Sequence, residues 1–341
     1  MPPARKKPSE RLTVAVTGPT GTFGFGLVPL LQADDRVERI VGIARRPFDP
    51  AEHGWTKMEY RRGDVRDQDA LEEAFAGAGV VVHLAFMITG TAARDTTRAI
   101  NVGGTLNALR AAAAAGAKRF VYASSVAAYG FHSDNPVPLT EDWPTRPAAR
   151  LFYAQEKAEV ERLLAEEAPK HPDLGVYVLR PPVVLGPHAA GAKDFPGPLE
   201  AIVRGLAGAA LRLPVPLPML APDLQVQFIH EDDVGSAFLQ CIVGAGPPGA
   251  YNITGDGVLT GADLVRELGL APVPVPGAPI RAAARAASWI PTPPLVPPAA
   301  EWLEALSHPA IMDASKAKRE LDWTPRYTSR EALQDTVRSA V

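Results

Sequence analysis

Tyr153 and Lys157 stand four residues apart in Leu151-Phe152-Tyr153-Ala154-Gln155-Glu156-Lys157, and Ser125 closes the upstream run Arg119-Phe120-Val121-Tyr122-Ala123-Ser124-Ser125. A phenol ionises near pH about 10, so a tyrosine that exchanges protons near neutrality needs a neighbouring cation to favour its phenolate. On a helix the residue four positions on lies one turn away on the same face. That spacing would bring the Lys157 ammonium beside the Tyr153 hydroxyl. A serine hydroxyl at a strand end can fix the oxygen that the tyrosine protonates. Together the three side chains suit acid–base chemistry at a carbonyl or an alcohol, with hydride moving to or from a bound nicotinamide. Tyr–Lys pairs four apart are commonplace on helices, so the elements around them must carry the assignment.

Tyr153, Lys157, Val160 and Leu164 fall at i, i+4, i+7 and i+11, which places all four on one face of a helix beginning near Arg150 or Leu151. Val160 and Leu164 then anchor that face in the core. Upstream, Leu12-Thr13-Val14-Ala15-Val16 runs into Thr17-Gly18-Pro19-Thr20-Gly21-Thr22-Phe23-Gly24. This order of strand, glycine turn and helix start is that of a dinucleotide-binding loop. The first glycine allows the tight turn, the second a close approach of backbone to a diphosphate, and the third tight helix–strand packing. Val80-Val81-Val82-His83-Leu84-Ala85-Phe86 is apolar at nearly every position, as a central parallel strand is, and its carboxyl end would face the cofactor crevice. His83 is expected to pack rather than react. Further strands are expected at 39–44, 57–61, 119–125 and 176–180, with helices at 69–76 and 91–116, the latter carrying Asn101. This alternation predicts an α/β fold with a doubly wound parallel sheet of Rossmann type.

Cofactor choice is written at the end of the second strand. An NAD enzyme presents a carboxylate there to the adenosine ribose, whereas Ala44 is followed by Arg45 and Arg46. Arginine suits a 2′-phosphate through its charge and forked donors, so NADP is the expected cofactor, with NAD also open. Asp64, in Gly63-Asp64-Val65, could meet the adenine amino group.

After Pro187 the strand–helix rhythm breaks. Residues 188–223, with a helix expected from Leu199 to Ala207, read as a substrate-side insertion. A short strand at 225–230, a helix at 231–243, a strand at 249–254 and a helix capped by Thr260 and Asp263 follow. The proline-punctuated stretch 271–298 is expected to wrap a surface. We therefore expect a loose tail at 1–10, a dinucleotide-binding domain at 11–187 plus about 225–245, and a smaller substrate-binding region at 188–224 plus about 246–341.

Composition narrows the partners. A formal net charge of -3 gives no reason to expect nucleic acid or an anionic membrane. The single cysteine, Cys241, excludes an intrachain disulfide framework and fits a reducing cytoplasm. The seven histidines lack metal-ligand spacing, so no metal is expected. No apolar stretch reaches the roughly 18 residues of a membrane span, and the basic, proline-bearing start lacks a signal peptide's apolar core. Pro29 falls inside the first helix, where nothing in the sequence accounts for it.

These residues resemble the extended short-chain dehydrogenase/reductases, the NAD-dependent epimerase/dehydratase family, over nearly the whole chain. The resemblance rests on the glycine loop, Asp64-Val65, His83-Leu84-Ala85, Asn101-Val102-Gly103-Gly104-Thr105, Ser124-Ser125 before Tyr129-Gly130, Tyr153 to Lys157, Leu179-Arg180-Pro181, and Phe228-Ile229-His230-Glu231-Asp232-Asp233-Val234. It implies that Tyr153 is the acid/base, that Lys157 lowers its pKa and binds the nicotinamide ribose, and that Ser125 orients the substrate oxygen. The cofactor set becomes Gly18, Thr20, Gly21, Thr22, Phe23, Gly24, Arg45, Arg46, Asp64, Val65, Leu84, Ala85, Tyr153, Lys157, Pro181 and Val183, and Phe86 joins Ser125 and Tyr153 on the substrate side. A homodimer is also implied.

Two departures bear on substrate. Nucleotide-sugar members usually carry an arginine where Gln227 stands, and an asparagine that many of them hold is missing from Arg180-Pro181-Pro182-Val183. The expected activity is thus an NADP-preferring oxidoreductase acting on a mostly apolar small molecule. A nucleotide-sugar epimerase or dehydratase is the alternative, and a non-catalytic redox sensor a second.

Overall fold

The structure is a computed structural model that describes residues 11–88, 94–149, 151–189, 216–279, 282 and 308–340. The expected tail at 1–10, the start of the helix expected from Thr91, Arg150, the helix expected from Leu199 to Ala207, and most of the stretch 271–298 lie outside the described residues.

Through the first half the chain runs β1 (Leu12–Thr17), α1 (Thr22–Ala33), β2 (Val37–Ala44), β3 (Met58–Arg62), α2 (Gln68–Phe75), β4 (Val80–His83), α3 (Arg94–Arg98), α4 (Gly104–Ala114), β5 (Arg119–Ala123) and α5 (Phe152–Glu167). There follow β6 (Gly175–Arg180), β7 (Val183–Leu185), β8 (Pro218–Pro222), β9 (Gln225–Val226), β10 (Phe228–His230), α6 (Glu231–Val243), β11 (Gly249–Asn252), β12 (Leu259–Thr260), α7 (Gly261–Glu267), β13 (Ala271–Val275), α8 (Ser315–Glu320) and α9 (Ser329–Ala340).

Seven strands pair in the order β11-β6-β5-β4-β1-β2-β3, every neighbour parallel. Because consecutive residues of these strands are apolar, both faces of the sheet are buried. Val14, Val16, Val80 and Val82 pack with Leu27, Leu31, Val234 and Phe238 of α1 and α6 on one face. Ala15, Val81, Phe120 and Tyr122 pack with Leu71, Phe75, Leu109, Val160 and Leu164 of α2, α4 and α5 on the other. Each fully buried Val, Leu or Phe contributes about 1.5–3 kcal/mol to this sandwich. From β1 the chain moves out to β3 and then crosses back to β4 on the other side of β1. The carboxyl ends of β1 and β4 therefore flank the point where the winding reverses, which is where such sheets bind ligands.

The structure departs from the expected elements in three places. The helix expected at 91–116 is interrupted by a π turn at Ala99–Gly103 between α3 and α4. The strand expected at 225–230 divides at Gln227: β9 pairs with β12 and β10 with β7. β11, assigned from the sequence to the substrate region, extends the main sheet beside β6, and Ala317, Leu321 and Trp323 pack into the α1 face of the core. Residues 249–252 thus belong to the main sheet, and Ala317, Leu321 and Trp323 to the packing on one of its faces. The capping box at α7 forms as expected, with Asp263 N–H donating to the Thr260 hydroxyl and Thr260 N–H to the Asp263 carboxylate. Pro29 lies on the exposed side of α1, where water can take the carbonyl its ring leaves without a partner. Cys241 is buried in α6, and burial pushes its thiol pKa up.

Candidate active site

Gly18 turns the chain off β1 at φ +68°, and its N–H donates to the Ile43 carbonyl of β2 at 2.9 Å. A Cβ on Gly18 would come within 2.9 Å of the Ala85 backbone, so the loop rests on the segment leaving β4. At Gly24 an added Cβ would overlap the Pro19 carbonyl. Gly21 differs from both. Its backbone is extended (φ -94°, ψ 173°), and an added Cβ would meet nothing nearer than the Gly18 carbonyl oxygen at 3.7 Å. Among the described residues neither backbone nor packing demands a glycine at 21, which leaves room above it for a ligand. The first intrahelical bond of α1 runs from Phe25 N–H to the Gly21 carbonyl, and no side chain caps the helix. The N–H groups of Thr22, Phe23 and Gly24 are thus without helical acceptors, an arrangement suited to an anion. Thr20 and Thr22 are half-buried there, while the Phe23 ring packs toward Phe238, 6.4 Å between centroids. What Phe23 offers a ligand is its N–H. A dinucleotide diphosphate fits this cradle.

At the carboxyl ends of β2 and β3, Arg62 donates to the Arg45 carbonyl at 3.0 Å, and the Tyr60 hydroxyl donates to that of Arg46. These bonds fix the backbone and leave the exposed Arg45 and Arg46 guanidinium groups without a hydrogen bond or ion pair among the described residues. Asp64 is engaged differently from expectation. Its carboxylate accepts from Arg66 Nε at 3.0 Å and Nη2 at 2.7 Å, and these bonds hold it below the usual carboxylate range. Val65 is buried against Gly104.

Between the loop and α5, Thr17 binds three partners. Its carbonyl accepts from Leu84 N–H at 3.1 Å and its hydroxyl from Ala85 N–H at 3.3 Å, and the hydroxyl also meets His83 Nδ1 at 2.8 Å. His83 Nε2 meets the Thr105 hydroxyl at 3.1 Å. Burial, reinforced by the Lys157 charge, pulls His83 down to about 3, so the ring is neutral and structural. The π turn places Asn101 to receive Met87 N–H at 2.7 Å and to donate to the Met87 carbonyl at 2.9 Å and Glu156 Oε2 at 2.7 Å. That clasp ties the segment after β4 to α5. The sequence showed Asn101 as helical; the adjoining pair Gly103-Gly104 was the only hint of a break, and π turns often mark functional sites. Glu156, whose carboxyl burial pushes up, had no such signal.

Ser125, Tyr153, Lys157 and Phe86 come together at the amino end of α5. The Ser125 hydroxyl accepts from Ala127 N–H at 3.2 Å and hydrogen-bonds the Tyr153 phenol. Lys157 Nζ donates to the Ala123 carbonyl at 2.6 Å, with the Tyr122 hydroxyl at 3.3 Å. It lies 3.5 Å from the Phe86 ring centroid and 5.7 Å from that of Tyr153. Burial pushes Tyr153 up to about 12, opposed by the Ser125 hydrogen bond, while the Lys157 ammonium turns to Ala123 and Phe86. Burial also drives the Lys157 pKa well down, against the pull of Glu161 and Glu156.

Around Tyr153 the packing is apolar: Ala127, Ala148, Leu151 and Ala154, with Phe86, Ile88 and Phe131 partly exposed beside them. Pro181 brings the end of β6 to this corner, its carbonyl accepting from Val126 N–H at 2.9 Å, and the exposed Val183 opens β7. Gln227 is committed elsewhere, donating to the Met312 carbonyl at 3.2 Å and accepting from Met312 N–H at 2.8 Å. A cavity of about 360 Å³ between Val137, Gln227, Thr254 and Met312 contains none of the Ser125, Tyr153 or Lys157 side chains.

A doubly wound parallel sheet whose glycine loop opens a helix at the switch point defines a dinucleotide-binding enzyme fold. Residues 14–254 match the NAD dependent epimerase/dehydratase family, and the chain belongs to it. It is 31% identical over 228 residues to a ceramide reductase of Caulobacter vibrioides, covering 66% of this chain and 59% of that protein. It is 28% identical over 335 residues to an uncharacterized protein of Sinorhizobium fredii, covering 95% of this chain and 77% of that one. In fold it is similar to a UDP-glucose 4-epimerase of Thermotoga maritima solved with UDP-glucose, with a TM-score of 0.74 at 21% identity over 96% of this chain and 98% of that one. The chain is an NAD(P)-dependent enzyme of the extended short-chain dehydrogenase/reductase type.

Proposed function

We propose that this chain is an NADP-preferring oxidoreductase that interconverts a carbonyl and an alcohol on a mostly apolar small molecule. The observation that carries the reading is the Ser125–Tyr153–Lys157 cluster set against the apolar packing of Phe86, Ile88 and Phe131. The glycine loop and the N–H groups opening α1 would hold the cofactor diphosphate, Arg45 and Arg46 the 2′-phosphate, and Lys157 the nicotinamide ribose. Bound nicotinamide supplies or accepts the hydride. Tyr153, protonated across the neutral range, gives its proton to the carbonyl oxygen, and Ser125 orients that oxygen by hydrogen bond. The buried ammonium of Lys157 supports the phenolate that results.

Two features favour an apolar substrate over a nucleotide sugar. Gln227 stands where a diphosphate-binding arginine would, and its amide is spent on Met312. One relative carries the name of a reductase acting on ceramide, an apolar lipid. The test is NADPH consumption with aldehydes, ketones and nucleotide sugars. Stoichiometric oxidation with apolar carbonyls is expected; conversion of a nucleotide sugar without net NADPH loss would replace this reading with the epimerase one.

The NADP preference is tested separately. A hydrogen bond to a charged group contributes about 1.5–3 kcal/mol, so Arg45→Ala or Arg46→Ala should weaken NADPH binding roughly 10- to 100-fold and leave NADH binding nearly unchanged. Equal affinity of the unmodified enzyme for both cofactors, or equal losses in the double variant, would make the arginines mere surface charge.

A further inference from the structure

Three consecutive residues at the end of β5 each hold a different part of the site. The Ala123 carbonyl takes the Lys157 ammonium, and the Ser125 hydroxyl meets Tyr153. Between them the buried Ser124 hydroxyl donates to Glu161 Oε1 at 2.5 Å. Glu161 lies one helical turn beyond Lys157 on α5 and is itself buried. Its carboxylate is clamped by Arg180, with Nε at 3.0 and 3.2 Å from its two oxygens and Nη2 at 2.5 Å from Oε2. Arg180 Nη1 donates in turn to the Tyr129 hydroxyl at 2.6 Å, which reaches Asn252 Oδ1 of β11 at 2.9 Å.

A buried ion pair is a poor way to stabilise a sheet, since apolar residues of similar volume often serve as well or better. What an apolar pair could not do is grip the Ser124 hydroxyl between the two functional residues. We propose that Glu161, braced by Arg180, is a positioning residue that fixes the Ala123–Ser125 corner and with it both the Lys157 ammonium and the Ser125 hydroxyl. The inference rests on the acid–base reading of Ser125, Tyr153 and Lys157 given above.

Charge adds to geometry. The groups facing Lys157 among the described residues are Tyr122 of β5, His83 of β4, and Tyr153, Glu156 and Glu161 of α5, with Phe86 over the ammonium. Tyr122 and Tyr153 are held neutral by burial, and His83 is neutral as well. Glu161 and Glu156 are left to oppose the burial that would strip the lysine of its proton. Removing the Glu161 charge lets Lys157 lose its proton at a lower pH.

The experiment compares Glu161→Gln, which keeps shape and an acceptor but not the charge, with Ser124→Ala, which cuts the tether and keeps the charge. Turnover of the best apolar carbonyl and the NADPH dissociation constant are measured from pH 6 to 10, with melting curves to establish folding. Glu161→Gln should lower kcat roughly 10- to 100-fold, the scale for a misplaced catalytic group, and move the alkaline loss of both turnover and NADPH affinity to lower pH. Ser124→Ala should lower kcat with the pH profile in place. Folded variants with the unmodified enzyme's kcat and profile would overturn the proposal. Should Glu161→Gln fail to fold, Ser124→Ala decides alone, and undiminished turnover in it would be fatal. If the unmodified enzyme reduces no carbonyl, it is the functional reading that fails; the pH dependence of NADPH affinity in the variants then decides the positioning role.

Discussion

The Lys157 ammonium lies 3.5 Å from the centroid of the Phe86 ring, and the same ring meets Tyr153 edge-on at 5.5 Å and 83°. One aromatic side chain therefore touches both members of the proposed acid–base pair. An ammonium over an aromatic face gains about 0.5–2 kcal/mol depending on desolvation, so the ring partly offsets the cost of burying Lys157.

Phe86→Ala tests which of its two contacts matters. If Phe86 is a substrate wall, truncation should raise KM for apolar carbonyls by roughly 10-fold, the value of one lost apolar contact, with kcat little changed. A collapse of kcat at constant KM would instead make the ring a support for Lys157.

Tyr153→Phe should lower turnover by roughly 10²-fold or more, the usual scale for a general acid, with NADPH affinity almost intact. Since burial pushes the phenol up to about 12, carbonyl reduction should show no loss attributable to tyrosine ionisation between pH 6 and 9. Lys157→Ala should damage rate and cofactor affinity together, because one ammonium is assigned both tasks. Turnover of Tyr153→Phe equal to that of the unmodified enzyme would remove the tyrosine from the mechanism.

The fold was legible because its rules are local. Apolar runs such as 80–82 and 120–122 announce strands buried on both faces, and the Tyr153–Leu164 spacing announces the buried helical face. What the sequence hid are contacts between distant segments. Asn101 reads as an ordinary helical residue until the π turn swings it onto Met87 and Glu156. Gln227 reads as the middle of a strand until Met312, 85 residues on, takes both ends of its amide. Spacing puts Lys157 on the same helical face as Tyr153, but only the packing of Ala123 and Phe86 shows where its ammonium goes.

His83 carries a pH prediction. Its pKa falls from 6.5 to about 3 on folding, so its contribution to stability is present above about pH 6.5 and is lost as pH falls toward 3. At about 1.36 kcal/mol per unit, the loss between pH 6.5 and 4 is of order 3 kcal/mol. Because carboxylates titrate in the same window, the comparison is with His83→Asn, which keeps a hydrogen-bonding group between Thr17 and Thr105 and cannot ionise. Denaturant unfolding should show a shallower acid slope in the variant. Parallel slopes would mean that His83 protonates as readily in the folded protein as in the unfolded one.

The glycine loop gives the sharpest contrast, because two of its glycines are required for different reasons. At Gly24 an added methyl would overlap the Pro19 carbonyl, so Gly24→Ala must shift backbone and should cost about 1–3 kcal/mol of stability, as overpacking does. At Gly21 the backbone is already extended and the nearest atom is 3.7 Å away, so Gly21→Ala should fold as well as the unmodified chain. The methyl would then stand where the diphosphate is expected. Loss of even one hydrogen bond to a charged phosphate, about 1.5–3 kcal/mol, lowers affinity roughly 10- to 100-fold. Melting with and without NADPH separates the two effects, since a ligand raises the melting temperature only of a protein that binds it. Gly24→Ala should melt early under both conditions, whereas Gly21→Ala should melt normally alone and gain little from NADPH. A Gly21→Ala protein stabilised by NADPH as fully as the unmodified one would show that the open space above Gly21 is not the seat of the phosphates.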